Sequence, residues 1–246
     1  MNKFYALYAT CIILVLSFIP AVHATPIIAD LSQYRIDIDA RFNGTRLFLF
    51  GVRNNAGDVV VVVRGPKKHF LMRKKEPIAG IWVNSDRMKF YNMPDFYAIA
   101  TSKQLNKIEQ TSLFKQLGIG QRTLFLEPSN PSQFVKFIEY SDAFIKHQQA
   151  RKLYMELPAK LDFMGETLFK TSIDFPDTIP PGDYTAEIYL LKDGEVSGMQ
   201  STPITVSKTG LDEFLHSSAH EHPALYGLAA ILIALSAGWV AGRVFE

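Results

Sequence analysis

From Ala224 to Gly242 the chain runs 19 residues without a charge. At 1.5 Å per residue a helix of that length covers roughly 28 Å, the thickness of a bilayer's hydrocarbon core. Tyr226 and Trp239 fall near its ends, where amphipathic rings settle at the membrane interface, and Arg243 follows at once. The segment therefore predicts one transmembrane helix over 223–242, with 243–246 as a short tail. Along it Ala230, Ala234, Gly238 and Gly242 recur at steps of four. That spacing either lines a face on which a second membrane helix packs, or is an accident of an Ala-rich span.

The amino end carries the second address. Lys3 precedes an apolar run from about Ala6 to Ile19; Pro20 breaks it, and Val22 and Ala24 occupy the −3 and −1 positions of a cleavage site. This is the order of a secretory signal peptide over residues 1–24. An exported start followed by a stop-transfer helix leaves residues 25–222 outside the membrane. Cys11, the single cysteine, lies in the signal segment. The mature chain is thus expected to lack disulfides and thiol chemistry. Removing Lys3 leaves 25 basic against 24 acidic residues, which is no polycation built for nucleic acid.

The exported part reads as strands, then helix, then strands. Ile36, Ile38, Ala40 and Phe42 alternate with charged residues, and Asn43-Gly44 is the composition of a type I′ hairpin. That hairpin would pair Phe42 with Thr45, Ala40 with Leu47 and Ile38 with Leu49. It would also place Phe48 and Phe50 on a polar face that something else covers. Val59 to Val63, without alternation, predicts a central strand buried on both sides. Further strands are expected near His69 to Arg73 and Gly80 to Asn84. From about 93 to 153 the period becomes helical. Asn130-Pro131-Ser132-Gln133 starts an amphipathic helix with Phe134, Phe137, Ile138, Ser141, Phe144, Ile145 and Gln148 on one side, and a shorter helix stops at Gly118. Strands resume after Pro158. Gly182-Asp183-Tyr184 resembles the tyrosine corner of Ig-like domains. The expectation is a mainly β protein: an Ig-like β-sandwich over 25–207 with a helical insertion at about 93–153. A polar linker, 208–222, leads to the membrane helix.

Several of these segments resemble the alphaproteobacterial putative transmembrane protein family. They are Ile28-Ala29-Asp30-Leu31-Ser32, Phe42-x-Gly44 leading to Leu49-Phe50-Gly51, and Val62-Val63-Arg64-Gly65-Pro66. Arg73-Lys74-Lys75 before Gly80-Ile81-Trp82-Val83-Asn84, Phe96-Tyr97-Ala98 and the terminal helix complete the set. The resemblance implies an exported domain on one carboxyl-terminal helix, in the bacterial inner membrane with its bulk in the periplasm. It supplies no catalytic residue.

Three groups are candidates for function. Arg64, Lys67, Lys68, Arg73, Lys74 and Lys75 form either an anion- or partner-binding strip or a charged sheet edge that blocks aggregation. Trp82, between Ile81 and Val83, is either core or an exposed interface anchor. His216, His220 and His222 are either metal ligands or linker residues. No Gly-x-Ser-x-Gly, His-Glu-x-x-His or phosphate-cradling loop occurs, so no catalytic residue and no cofactor is assigned. The expected function is a non-enzymatic accessory or binding protein that associates with an integral membrane protein such as a transporter. The alternatives are a ligand or metal sensor and, behind it, an enzyme with a dispersed site.

Overall fold

The computed structural model describes residues 26–102, 112–125, 133–210 and 219–244. Its strands are β1 (Ile27–Leu31), β2 (Arg35–Ile38), β3 (Thr45–Arg53), β4 (Asp58–Arg64), β5 (Lys67–Ile78), β6 (Ile81–Pro94), β7 (Tyr97–Thr101), β8 (Ala159–Lys160), β9 (Asp162–Met164), β10 (Leu168–Phe175), β11 (Gly182–Lys192) and β12 (Glu195–Lys208). The helices are α1 (Ser112–Leu117), α2 (Phe134–Ala150) and α3 (Pro223–Val244).

The five valines of β4 are all fully buried, as their unbroken run requires. β4 lies between β11 and β7 in a sheet ordered β2-β12-β11-β4-β7-β8. Val59, Val61 and Val63 face the second sheet, ordered β1-β3-β10-β9, across a core that includes Leu47, Leu49, Phe169, Ile173 and Phe175. Val60 and Val62 share the opposite face with Arg64, Ile99 and Tyr97, and that face is roofed by α1 and α2.

The strand order defines the sandwich. Taken in chain order, β1, β3, β4, β9, β10, β11 and β12 fall into sheets A-B-E-D and G-F-C of an immunoglobulin-type domain. β2 adds in parallel on β12. Tyr184, near the start of the strand equivalent to F, donates its hydroxyl to the Pro180 carbonyl at 2.6 Å. That is the tyrosine corner expected from Gly182-Asp183-Tyr184. The β11–β12 hairpin turns at Asp193 and Gly194, both at positive φ, as its Asp-Gly sequence predicts. β1, an edge strand, is closed by a side chain: Gln200 accepts from Ala29 N at 2.8 Å and donates to Ala29 O at 2.6 Å.

Three expectations are corrected. First, Asn43-Gly44 makes no hairpin. Only Gly44 has positive φ (97°), whereas a type I′ turn needs it at both positions. The chain crosses between sheets there, so that β3 gains two antiparallel neighbours, β1 and β10, where a hairpin would have given it β2. A Cβ on Gly44 would meet Phe175 O at 2.8 Å.

Second, the helical layer covers β4 and β7, not β3. Phe48 and Phe50 stay 54% and 45% exposed. Their sheet also presents Ile28, Val52, Leu168 and Met164, exposed and paired in one row across four strands. The valine strand is buried on both faces, while β3 buries Leu47 and Leu49 and leaves Arg46, Phe48, Phe50 and Val52 outward.

Third, the strands expected near His69–Arg73 and Gly80–Asn84 form, but outside both sheets of the sandwich. β5 and β6 form a separate two-stranded ribbon, so the departure from the sandwich begins at Gly65 and not at 93. Ribbon and helices together are inserted between the strands equivalent to C and D.

Tyr184→Phe removes one hydrogen bond to a carbonyl at the corner while keeping the ring. It should lower unfolding stability by about 1–2 kcal/mol, measured by denaturant titration of the near-ultraviolet signal, with little change elsewhere.

Candidate functional site

The ribbon is the element on which the basic residues gather. Its turn is Ala79-Gly80, both at positive φ (52° and 82°), the geometry that matches the twist of paired strands. Phe70 and Met72 of β5 face Phe90 and Met88 of β6 and pack toward α2. The Phe144 ring lies 5.0 Å from Phe70 and 5.6 Å from Phe90, and Phe125 lies 5.0 Å from Phe90. Two ion pairs fasten the same face: Lys74 to Glu139 at 3.0 Å and Lys136 to Asp86 at 2.5 Å. Both are solvent-accessible and define position more than stability.

The root is held differently. Gly65 N donates to Phe96 O and Asp95 N to Pro66 O. The Asp95 carboxylate is almost wholly buried, and Lys68 reaches it at 2.6 Å. A Cβ on Gly65 would meet Asp95 Oδ1 at 2.4 Å, so Gly65-Pro66 leaves room for this pair.

The six basic residues singled out in the sequence therefore separate. Arg64 points under the helical layer: it pairs with Glu187 and donates to Leu117 O at 2.7 Å and Gly118 O at 3.0 Å, closing the carboxyl end of α1. Lys68 is the root clamp, Lys74 the helix clamp, and Lys67 is exposed at the root. Arg73 and Lys75 lie on the ribbon face opposite Phe70 and Met72. Two residues not singled out join them. Arg87 is paired with Arg73 across the strands, and Lys89 with Leu71. Among the described residues none of these four side chains has a hydrogen-bond or ion-pair partner, so the face is a ladder of like charges. A bulge between Lys74 and Lys75 resets the register so that Trp82 pairs with Pro77 and Ile81 with Ile78. Ile78, Ile81 and Trp82 are 58%, 69% and 69% exposed at the tip. Trp82 is thus not core.

Arg87 and Lys89 went unread because their pairing depends on the Ala79-Gly80 turn. Alanine is a poor residue for positive φ, so the sequence carries no Asn-Gly-type signal there. The turn alone would pair Arg87 with Met72 and Lys89 with Phe70; the bulge at Lys74/Lys75 shifts β6 by one residue and brings Arg87 opposite Arg73, and no local pattern announces that bulge.

Other polar groups hold the roof on the sheet. The Tyr97 hydroxyl donates to Gly118 O at 2.9 Å and accepts from Gly120 N at 2.8 Å. Tyr154 donates to Pro94 O at 2.7 Å. Burial pushes both phenols well above the usual tyrosine range. Tyr189, bonded to Glu187 beside Arg64, is pushed up to about 12, first by burial and then by that carboxylate. Between α2 and β7 lies a cavity of about 710 Å³ whose charged lining includes Lys115, Arg122, Lys146, Asp142 and Glu156. Arg122 and Asp142 pair there at 3.1 Å.

Of the juxtamembrane histidines, His216 lies outside the described residues. His220 and His222 precede α3, and His222 O accepts from Tyr226 N at 3.0 Å. Among the described residues no group of three His, Cys, Asp or Glu is placed to hold a metal ion. α3 is apolar enough to span a bilayer over Pro223–Arg243, with mean hydropathy 2.0, and its span is unburied by the rest of the chain. Gly238 and Gly242 have no atom within 4 Å of where a Cβ would stand.

An immunoglobulin-type sandwich bearing a charged ribbon, with one helix among the described residues long and apolar enough to span a bilayer, defines a membrane-anchored β-sandwich protein. Residues 26–246 match the family model described as "Putative transmembrane protein (Alph_Pro_TM)", and the chain belongs to that family. No curated protein matches the chain.

Asp95 gives the site a pH signature. Burial raises its carboxyl above the usual range, and Lys68 opposes the shift. The folded state thus binds its proton more tightly than the unfolded state does. Stability falls as pH rises from the ordinary carboxylate range through the raised folded value. As pH rises above the ordinary carboxylate value of about 4, wild type should lose stability relative to Asp95→Asn in thermal melts. An offset independent of pH would show that the carboxyl is not shifted.

Proposed function

We propose that this is an accessory protein of the bacterial inner membrane that works by binding and not by catalysis. Its sandwich is held in the periplasm and its helix associates with an integral membrane protein such as a transporter. The observation that carries the reading is α3. It is long and apolar enough to span a bilayer, and its small-residue face of Ala230, Ala234, Gly238 and Gly242 meets nothing within the chain at its two glycines. Small residues let a second helix approach closely in lipid, where packing and not hydrophobicity drives association. Arg64, Tyr97, Tyr154 and Tyr184 are engaged in bonds that hold the layers of the sandwich and its roof together.

Photo-crosslinking from α3 in native membranes should capture a multi-spanning protein. Gly238→Leu with Gly242→Leu should reduce that capture to background while the protein level is unchanged. Equal capture by the double variant removes helix packing from the account.

A second reading, ligand sensing, is favoured by the cavity beneath α2, where Lys115, Arg122 and Lys146 are set among fewer acids. Calorimetric titration of the full chain with sulfate and with sulfite tests it, and heats equal to dilution remove it.

A further inference from the structure

We propose that the β5–β6 ribbon is a lipid-docking arm. Ile78, Ile81 and Trp82 enter the interface of an anionic bilayer, and Arg73, Lys75, Arg87 and Lys89 settle on its head groups. The inference rests on the reading that α3 anchors the chain in that bilayer.

The arm is built for reach. Its contacts with α2 end at Lys74 and Asp86, and the four residues of β5 beyond them extend it by roughly 13 Å. Beyond that point Ile78, Ile81 and Trp82 are exposed and crown the turn, Val83 is half-buried, and Pro77 sits opposite Trp82. An indole at a membrane interface keeps its ring in the acyl boundary and its N–H among polar head groups. Behind the tip the charges are sorted by face. The ribbon's acids, Glu76 and Asp86, pair with Lys74 and Lys136 on the helix side. The four cations of the other face have no acid to answer them among the described residues. Two arginines placed directly opposite each other repel, and an external anion relieves that repulsion.

Charge complementarity and tethering select lipid over a protein. The tip is narrow and convex, and three such side chains bury roughly 500 Å² in all, less than one side of a stable protein interface. A bilayer needs no matching pocket. It is also already attached: residues 209–222 join β12 to α3, and 14 residues span at most about 50 Å, so the arm meets the membrane as an intramolecular event. At an anionic surface each cation multiplies docking by about fivefold.

The chain has two tryptophans, Trp82 in the arm and Trp239 in α3, which makes the test clean. Full-length Trp239→Phe, reconstituted in vesicles of phosphatidylcholine with phosphatidylglycerol, should show blue-shifted Trp82 emission quenched by brominated lipid. In phosphatidylcholine alone, or in high salt, Trp82 should emit as an exposed indole. Arg73→Gln with Arg87→Gln should reduce the docked-to-free ratio roughly 25-fold. Full-length Trp82→Phe reports the anchor through Trp239. Trp239 shielded while Trp82 stays exposed in both vesicles overturns the arm and leaves the anchor standing; Trp239 exposed overturns the anchor and the tethered arm with it. Trp82 shielded equally in neutral vesicles overturns the role of the cations. Trp82 shielded in native membranes but not in anionic lipid overturns lipid in favour of a protein.

Discussion

A strand of five valines cannot give either face to water, and the rest of the sandwich and its helical layer arranges itself around that constraint. One side of β4 is met by the second sheet, which completes an immunoglobulin-type sandwich. The other side demands a roof. The chain supplies it by inserting α1 and α2 between the strands equivalent to C and D, and fixes it with polar bonds: Arg64 to the end of α1, Tyr97 to Gly118 and Gly120. The ribbon is a consequence of the same insertion. It leaves β4 at Gly65-Pro66, crosses the roof along α2, and passes beyond it.

The ribbon's charges are divided by what lies beneath them. Where α2 is present, cations pair with acids and aromatic rings interlock, as at Lys74–Glu139 and Phe70–Phe144. On the opposite face no acid among the described residues answers Arg73, Lys75, Arg87 and Lys89. The basic run of the sequence therefore divides by what each side chain meets. Arg64, Lys68 and Lys74 build the structure, while Arg73 and Lys75 remain outward with two cations from the returning strand.

The sandwich was largely legible in the sequence because its signals are local. Valine runs, period-two alternation, the Asp193-Gly194 turn and the tyrosine corner each report a few neighbouring residues. What was not legible depended on competition between distant partners. Asn43-Gly44 has hairpin composition, but β3 gains more from β1 and β10 than from β2. The Ala79-Gly80 turn lacks hairpin composition yet forms, because Phe70, Met72, Met88 and Phe90 are held together by α2. The exposure of Trp82 follows from that turn, and no pattern around Trp82 itself distinguishes it from a core residue. Phe48 and Phe50 show the same limit: alternation assigned their face correctly, but which sheet the helices cover was decided by β4.

The central claim is that the helical layer exists to cover the outer face of β4 and leaves the outer face of β3 bare. Single-cysteine accessibility in the full-length protein tests it directly, since Cys11 is the chain's only cysteine and is replaced by serine for the purpose. Thiol labelling of Phe48→Cys should proceed at the rate of an exposed thiol, while Val62→Cys should resist labelling until the protein is unfolded. Rapid labelling at Val62 with protection at Phe48 would contradict the account.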